Sequence, residues 1–351
     1  TGPVAERGGV HMPEGSWSPR QGKFVPRSDL PVYQRQIFRA PLAGENAPTG
    51  HVGGTTVFES EAVRLWTVAQ QPDVLVISLK TKMHTIGPDV VAGLLKAIEL
   101  AEQNYKGLVI WSPDEPFSAG ADLAAMLPVF MSGGVKAIGE EEKKLQDALM
   151  RLKYAQVPVV AAVSGLALGG GCELLLHSAK RVASLESYIG LVEVGVGLLP
   201  GAGGLKEGAI RAGLAAQAAG SNNVLAYLTG WFTNAAMANV AKSALEARAM
   251  GWLTANDVIV FNGYELLWTA LKEAAAMADA GYRPPLKLKG VPVAGRSGLA
   301  TIKVQLVGMR DGGFISAHDY FIASRIAEVM CGGDVEAGSL VDEQWLLDLE
   351  R

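Results

Sequence analysis

Two glutamates stand in apolar stretches where a free carboxylate is poorly tolerated. Glu173 lies between Cys172 and the run Leu174–Leu176, and Glu193 lies between Val192 and Val194. A charged group among apolar neighbours needs a partner, a hydrogen bond or a proton. Two carboxylates in unlike surroundings can divide acid and base duties, one ionised and the other with a raised pKa. The pair is therefore suited to moving protons. Spacing alone favours the commoner fate of a glutamate, a helix cap or a solvent-facing side chain.

Two glycine-bearing loops are the second candidate. Gly169, Gly170 and Gly171 end an apolar run and precede the helical stretch that carries Glu173. Phe117-Ser118-Ala119-Gly120-Ala121-Asp122 likewise follows a buried strand pattern and precedes a helical one. Glycine lets backbone N–H groups approach an oxygen that gains negative charge, and a helix beginning there adds a favourable dipole. Each loop can supply one N–H. Taken by itself, the triplet fits close packing and turn geometry better than an anion site.

Other residues carry less. Ser118 and Ser164 lack recognisable His and Asp partners for a serine nucleophile. Cys172 reads as a small buried thiol. His177 can touch Glu173 from the next helical turn, although a packed core histidine is the commoner outcome. Met126, Leu127, Val129, Phe130 and Met131 fit an acyl-tail pocket and ordinary core equally well. No dinucleotide fingerprint is present, because neither Gly195-Val-Gly-Leu-Leu-Pro nor Gly201-Ala-Gly-Gly-Leu-Lys has the third glycine or alanine.

The elements that must position these groups follow from pattern. Arg64–Val68 and Val74–Leu79 read as strands around a turn at 70–73. Pro88 and Asp89 start a helix whose Val91, Leu94, Leu95 and Ile98 share a face. Leu108–Trp111 is a short buried strand. A helix over about 140–154 turns Leu145, Ala148, Leu149 and Leu152 inward and Glu141, Glu142, Lys143 and Lys144 outward. Val157–Val163 and Arg181–Ser184 are strands on either side of the Glu173 helix. Strands alternating with helices indicate an α/β fold with a largely parallel sheet. Beyond Gly204, helices are expected near 207–219, 235–250, 262–280 (capped by Asn262) and 315–330. Residues 1–60 read as an extended segment or interdomain linker with Trp17, Phe24, Tyr33 and Phe38 as anchors. A catalytic domain is expected over 61–284, followed by a helical region over 285–351.

Composition sets outer bounds. The 351 residues are 49% hydrophobic and 19% charged, with a net charge of −4, so a sizeable core can form and no nucleic-acid footprint shows. Only Cys172 and Cys331 occur, and the five histidines lack ligand spacing, so neither a disulfide scaffold nor a metal site is expected. This cysteine usage fits a reducing, cytoplasmic compartment. The apolar run from Val157 is interrupted by Pro158, the glycines and Glu173, so no membrane span is expected.

In combination these motifs resemble the enoyl-CoA hydratase/isomerase (crotonase) family. Phe117-Ser-Ala-Gly-Ala-Asp122 is similar to its first oxyanion loop, and Gly165-Leu-Ala-Leu-Gly-Gly-Gly-Cys-Glu-Leu174 to its second. Glu193 followed by Gly197-Leu-Leu-Pro-Gly-Ala-Gly-Gly204 is similar to its third signature. The resemblance covers about 61–283 and implies a crotonase-like spiral of strand–strand–helix repeats with C-terminal helices. It implies Glu173 and Glu193 as the catalytic pair and the N–H groups of Ala119 and Gly170 as the oxyanion hole. Ala119, Gly120, Ala121, Asp122 and Gly169 would lie along the substrate. The implied reaction is addition of water to a 2-enoyl-CoA in fatty-acid β-oxidation, with no cofactor, since CoA belongs to the substrate. Δ3,Δ2-enoyl-CoA isomerisation, another acyl-CoA reaction or a non-catalytic acyl-CoA-binding module are the alternatives. The resemblance also implies a homo-oligomer, a trimer or hexamer. The long flanks resemble the fused form, in which a 3-hydroxyacyl-CoA dehydrogenase module shares the chain. Ala179 stands where the family often has Asp, His84 near its Asn, and Lys206-Glu207 in place of its common Gln-Arg.

Overall fold

Strands with aliphatic residues on both faces belong in the middle of a sheet covered on both sides. Such strands form the centre of this fold. The computed structural model describes residues 2–12, 15–26, 28–39 and 50–351. The N-terminal segment contains two short helices, α1 (Pro3–Arg7) and α2 (Pro31–Gln34). Between them lies a small antiparallel sheet of β1 (His11–Met12), β2 (Gly15–Ser18) and β3 (Lys23–Val25). Phe38 packs against Trp66 and Trp111, with ring centroids 5.8 and 5.9 Å away, so one of the expected anchors meets the main body.

The main sheet contains β4 (Thr55–Glu59), β5 (Val63–Val68), β6 (Gln71–Leu79), β7 (Gly107–Ile110), β8 (Val159–Leu168), β9 (Lys180–Gly190) and β10 (Val258–Val260). Their order is β10-β9-β8-β7-β6-β5-β4. Pairings from β6 to β10 are parallel, and those joining β4, β5 and β6 are antiparallel. Alternate side chains serve two cores, as the two-residue strand period requires. Leu75, Ile77, Leu108, Ile110 and Ala161 share one core with the buried face of α3 (Pro88–Asn104), whereas Val74, Val76, Val109, Val160 and Val182 share the other with α9 (Leu266–Asp279).

Helix α4 (Leu123–Lys153) begins well before the expected 140–154 and is interrupted at Gly134, whose φ of 63° is not helical. Helix α5 (Gly170–Leu176) carries Glu173, and α6 (Gly204–Ala218) follows the Pro-Gly turn. The single helix expected over 235–250 is instead two, α7 (Val224–Ala236) and α8 (Ala244–Ala249). The chain breaks between them, where Ala238 adopts a φ of 51°. Asn262 caps a short 3₁₀ turn at Gly263–Glu265, not α9 itself. The C-terminal region holds β11 (Val291–Pro292), α10 (Gly295–Asp311), α11 (Ala317–Met330), β12 (Leu340–Val341) and α12 (Glu343–Glu350). β11 pairs antiparallel with β12.

Candidate active site

The end of β8 organises the site. Phe117 and Ser118 donate backbone N–H groups to the carbonyls of Ser164 and Leu166 at 2.9 and 3.0 Å, and Leu168 donates back to Ser118 at 3.0 Å. The 117–122 loop is thereby strung beside β8. At Gly169 the chain turns with a φ of 52°, where a residue without a β-carbon is favoured, and α5 begins at Gly170.

The Gly170 and Ala121 amides are unengaged among the described residues. The Gly170 N–H is the first of α5 and has no intrahelical acceptor. The Ala121 N–H meets no acceptor among the described residues. It lies so close to Gly170 that a β-carbon there would be 3.3 Å from the Ala121 nitrogen. The Ala119 N–H, expected as the second oxyanion donor, instead donates to the Met83 carbonyl at 3.0 Å. The Ala119 N–H is therefore already engaged, whereas the neighbouring Ala121 N–H is open to an acceptor. Asp122 caps α4, its Oδ1 accepting from the Ala125 N–H at 3.1 Å.

Ala121, Asp122, Gly170, Glu173 and Glu193 line one cavity of about 600 Å³. Ala119, Gly120 and Gly169 are not among its lining residues. Apolar walls come from Val91, Met126, Val129, Ile138, Leu145, Leu198 and Leu199, with Phe321 and Ile322 added by α11. Met126 and Val129 thus face the cavity, whereas Leu127, Phe130 and Met131 are exposed.

The two glutamates differ in their surroundings. Glu173 is 2% exposed, and its Oε1 accepts from the Ala202 and Gly204 amides, each at 2.8 Å. Burial raises its pKa to about 7 against the pull of those amides and of Lys206. Glu193 sits in a 3₁₀ turn, Glu193–Val196, and its buried Oε2 has no hydrogen-bond partner among the described residues. Burial and then the Glu173 charge raise it to about 8. Among the described residues no cluster of His, Cys, Asp and Glu is arranged to hold a metal ion.

Three features were not foreseen. Glu142, expected to face outward, lines the cavity, and burial followed by Glu173 raises its pKa to about 7. Glu350, on the C-terminal helix, lines the same cavity and is buried. Behind α5, the departure at Lys206-Glu207 proves to be a buried charge network. Lys206 Nζ reaches His177 Nε2 at 2.9 Å, Glu207 Oε1 at 2.7 Å and Glu343 Oε1 at 2.9 Å. Lys153 Nζ reaches the same two carboxylates at 2.6 Å each. The Glu173 carbonyl can only accept, so His177 carries its proton on Nδ1, which donates to that carbonyl at 2.7 Å, and its Nε2 accepts from Lys206. Burial and Lys206 hold its pKa down at about 3.

Comparison with known proteins identifies the domain that carries these loops. The enoyl-CoA hydratase/isomerase family model matches residues 69–219, which include both loops and both glutamates. The chain carries an enoyl-CoA hydratase/isomerase domain. Two relatives are longer proteins. A Bacillus subtilis "Probable 3-hydroxyacyl-CoA dehydrogenase" is 40% identical over 282 residues, covering 80% of this chain and 35% of that protein. A "Peroxisomal bifunctional enzyme" of Cavia porcellus is 37% identical over 124 residues, covering 35% of this chain and 16% of that protein. The chain thus spans about a third of the Bacillus relative's length. Among solved structures, an enoyl-CoA hydratase from Geobacillus kaustophilus superposes with a TM-score of 0.52 at 18% identity, covering 78% of this chain and 90% of that one. Pseudomonas aeruginosa DspI superposes with a TM-score of 0.51 at 24% identity, covering 72% and 89%. The hydratase/isomerase domain therefore has the crotonase fold. Likeness at such identities speaks to the fold alone.

Proposed function

We propose that this chain is the hydratase module of a longer fatty-acid-oxidation protein and adds water to 2-enoyl-CoA thioesters. One observation carries the reading: Glu173 and Glu193 line one cavity beside the unengaged amides of Ala121 and Gly170. The thioester oxygen is placed between those amides, which stabilise the negative charge it gains when water attacks C3. Glu173, held towards the carboxylate form by two amides, takes the proton from water. Glu193, with the higher pKa and a free oxygen, gives its proton to C2. Turnover leaves Glu173 protonated and Glu193 ionised, and a proton returned from the first to the second through solvent resets the pair.

Support for the longer protein comes from its relatives, which include a "Probable 3-hydroxyacyl-CoA dehydrogenase" and a "Peroxisomal bifunctional enzyme". A neighbouring 3-hydroxyacyl-CoA dehydrogenase module would consume the hydration product directly. The reading is tested with a panel of 2-enoyl- and 3-enoyl-CoA thioesters of several chain lengths, following the enoyl-thioester absorbance and the product mass. Loss of the enoyl band with a gain of one water supports hydration. Conversion of 3-enoyl to 2-enoyl thioester without water uptake makes the module an isomerase.

A further inference from the structure

Five consecutive backbone amides, 202–206, are divided between two buried carboxylates. Glu173 Oε1 accepts from Ala202 and Gly204, each at 2.8 Å. Glu350 Oε1 accepts from Gly203 at 2.9 Å and Leu205 at 3.2 Å, and its Oε2 accepts from Lys206 at 3.1 Å. The two side chains interleave on one turn of backbone, which enters α6 through Gly203 at a φ of 106°. The first amides of a helix lack intrahelical acceptors, and a carboxylate there also gains from the helix dipole. Glu350 thus caps α6 from a helix more than a hundred residues further along the chain.

Helix α12 is not free to withdraw that cap. Glu343, at its first turn, is bound to Lys206 and Lys153 and hydrogen-bonds Tyr154. Trp345 Nε1 donates to the Gly332 carbonyl at 2.9 Å, and Leu346 and Leu347 are buried. Glu350 itself is 3% exposed and stands on the cavity wall.

We propose that Glu350 is a positioning residue for Glu173. By holding the amides of Gly203, Leu205 and Lys206, it fixes the turn that presents the Ala202 and Gly204 amides to the catalytic carboxylate. Two oxygens receiving three N–H donors require a group that accepts at both, which a carboxylate does. A glutamine at 350 would point an NH₂ group at an amide N–H. Burial and then the Glu173 charge push the Glu350 carboxyl upward in pKa, against the Lys206 and Gly203 amides and the Lys206 charge, which hold it towards the carboxylate. The other charged groups facing the pair are Glu142 from α4, Glu193 and the neighbouring Arg351. This inference rests on the hydratase reading.

The test compares the full chain with its Glu350→Gln and Glu350→Asp variants in two assays. The first is the kcat and KM of crotonyl-CoA hydration. The second is titration of the Glu173 carboxyl by infrared difference spectroscopy, with Glu173→Gln marking the band. Misplacing a catalytic group by about an ångström costs up to ~10²-fold, so Glu350→Gln is expected to lower kcat ~10- to 10²-fold while KM stays within about twofold. The Glu173 titration moves to higher pH, because the amides that favour its carboxylate lose their alignment. Glu350→Asp keeps an acceptor at both oxygens and shifts both readouts less. An unchanged kcat and titration in Glu350→Gln overturns the proposal. So does a titration that moves lower, which marks Glu350 as a repelling charge only. If circular dichroism shows Glu350→Gln unfolded, Glu350→Asp decides by the same criteria. If the parent chain hydrates no 2-enoyl-CoA, the hydratase reading fails, and the infrared titration still decides the role of Glu350.

Discussion

Glu193 Oε1 lies 2.8 Å from the place a β-carbon would occupy on Gly169. The glycine that turns the chain from β8 into α5 thus leaves room for the carboxylate across the site. Gly169→Ala meets two penalties, a φ of 52° that side chains seldom adopt and a collision with Glu193. The variant is expected to lose ~10²-fold in hydration rate through displacement of Glu193. Turnover of crotonyl-CoA at the parental rate would show that Glu193 needs no such clearance.

The two glutamates are expected to be individually indispensable. In the proposed mechanism each handles a different proton, and loss of a general acid or base costs ~10²–10⁴ in rate. Glu173→Gln and Glu193→Gln should each lower kcat by at least that lower bound, measured at the enoyl-thioester band. The double variant should be no worse than the poorer single one, because residues acting as a unit are not additive. A summed loss in the double variant would mean that the two residues act independently.

The pKa values assign the pH dependence. In the proposed mechanism activity requires Glu173 ionised, with its pKa at about 7, and Glu193 protonated, with its pKa at about 8. Then kcat/KM should rise as pH climbs through about 7 and fall above about 8, giving a narrow bell. The two midpoints belong to the pair. Glu193→Gln should remove the alkaline limb from whatever activity survives, and Glu173→Gln the acid limb. A flat profile from pH 6 to 9 in the parent chain would contradict the assignment.

Much of this arrangement was legible in sequence, and the gaps have physical causes. Strands β5 and β6 and helix α3 show strong periodicity, so their places follow from apolar spacing. In 224–249 the residues are mostly small and apolar with no contrasting face, and the break at Ala238 leaves no signal. Helix α10 is polar over much of its length, with Lys303, Gln305 and Arg310 diluting its apolar stripe. Glu142 lies within Glu140-Glu141-Glu142-Lys143-Lys144, a run that reads as a solvated face. The approach of the 197–202 segment, with Gly201 against its Oε1, helps to enclose it. Choosing between Ala119 and Ala121 as the oxyanion donor depends on the Met83 carbonyl, a partner distant in sequence. Glu350 is similarly unreadable, because a lone acid at the end of an amphipathic helix differs from a surface residue only through its tertiary neighbours.

Glu142 allows a test on stability independent of any substrate. A β-carbon on Gly201 would collide with its Oε1, and burial with the nearby Glu173 raises its pKa from 4.5 to about 7. A carboxyl whose folded pKa lies above its unfolded one binds its proton more tightly in the native state. The native state is therefore favoured at low pH and loses that advantage as pH rises through about 7. Replacing the group with a neutral isostere removes this dependence. Glu142→Gln is expected to change stability little at pH 5 and to add on the order of 2 kcal/mol at pH 8, since each pKa unit corresponds to about 1.4 kcal/mol. Chemical denaturation at the two pH values measures the difference. A variant equally or more destabilised at pH 8 would mean that Glu142 is paired as an anion in the folded chain, with Arg351 as the cation in reach.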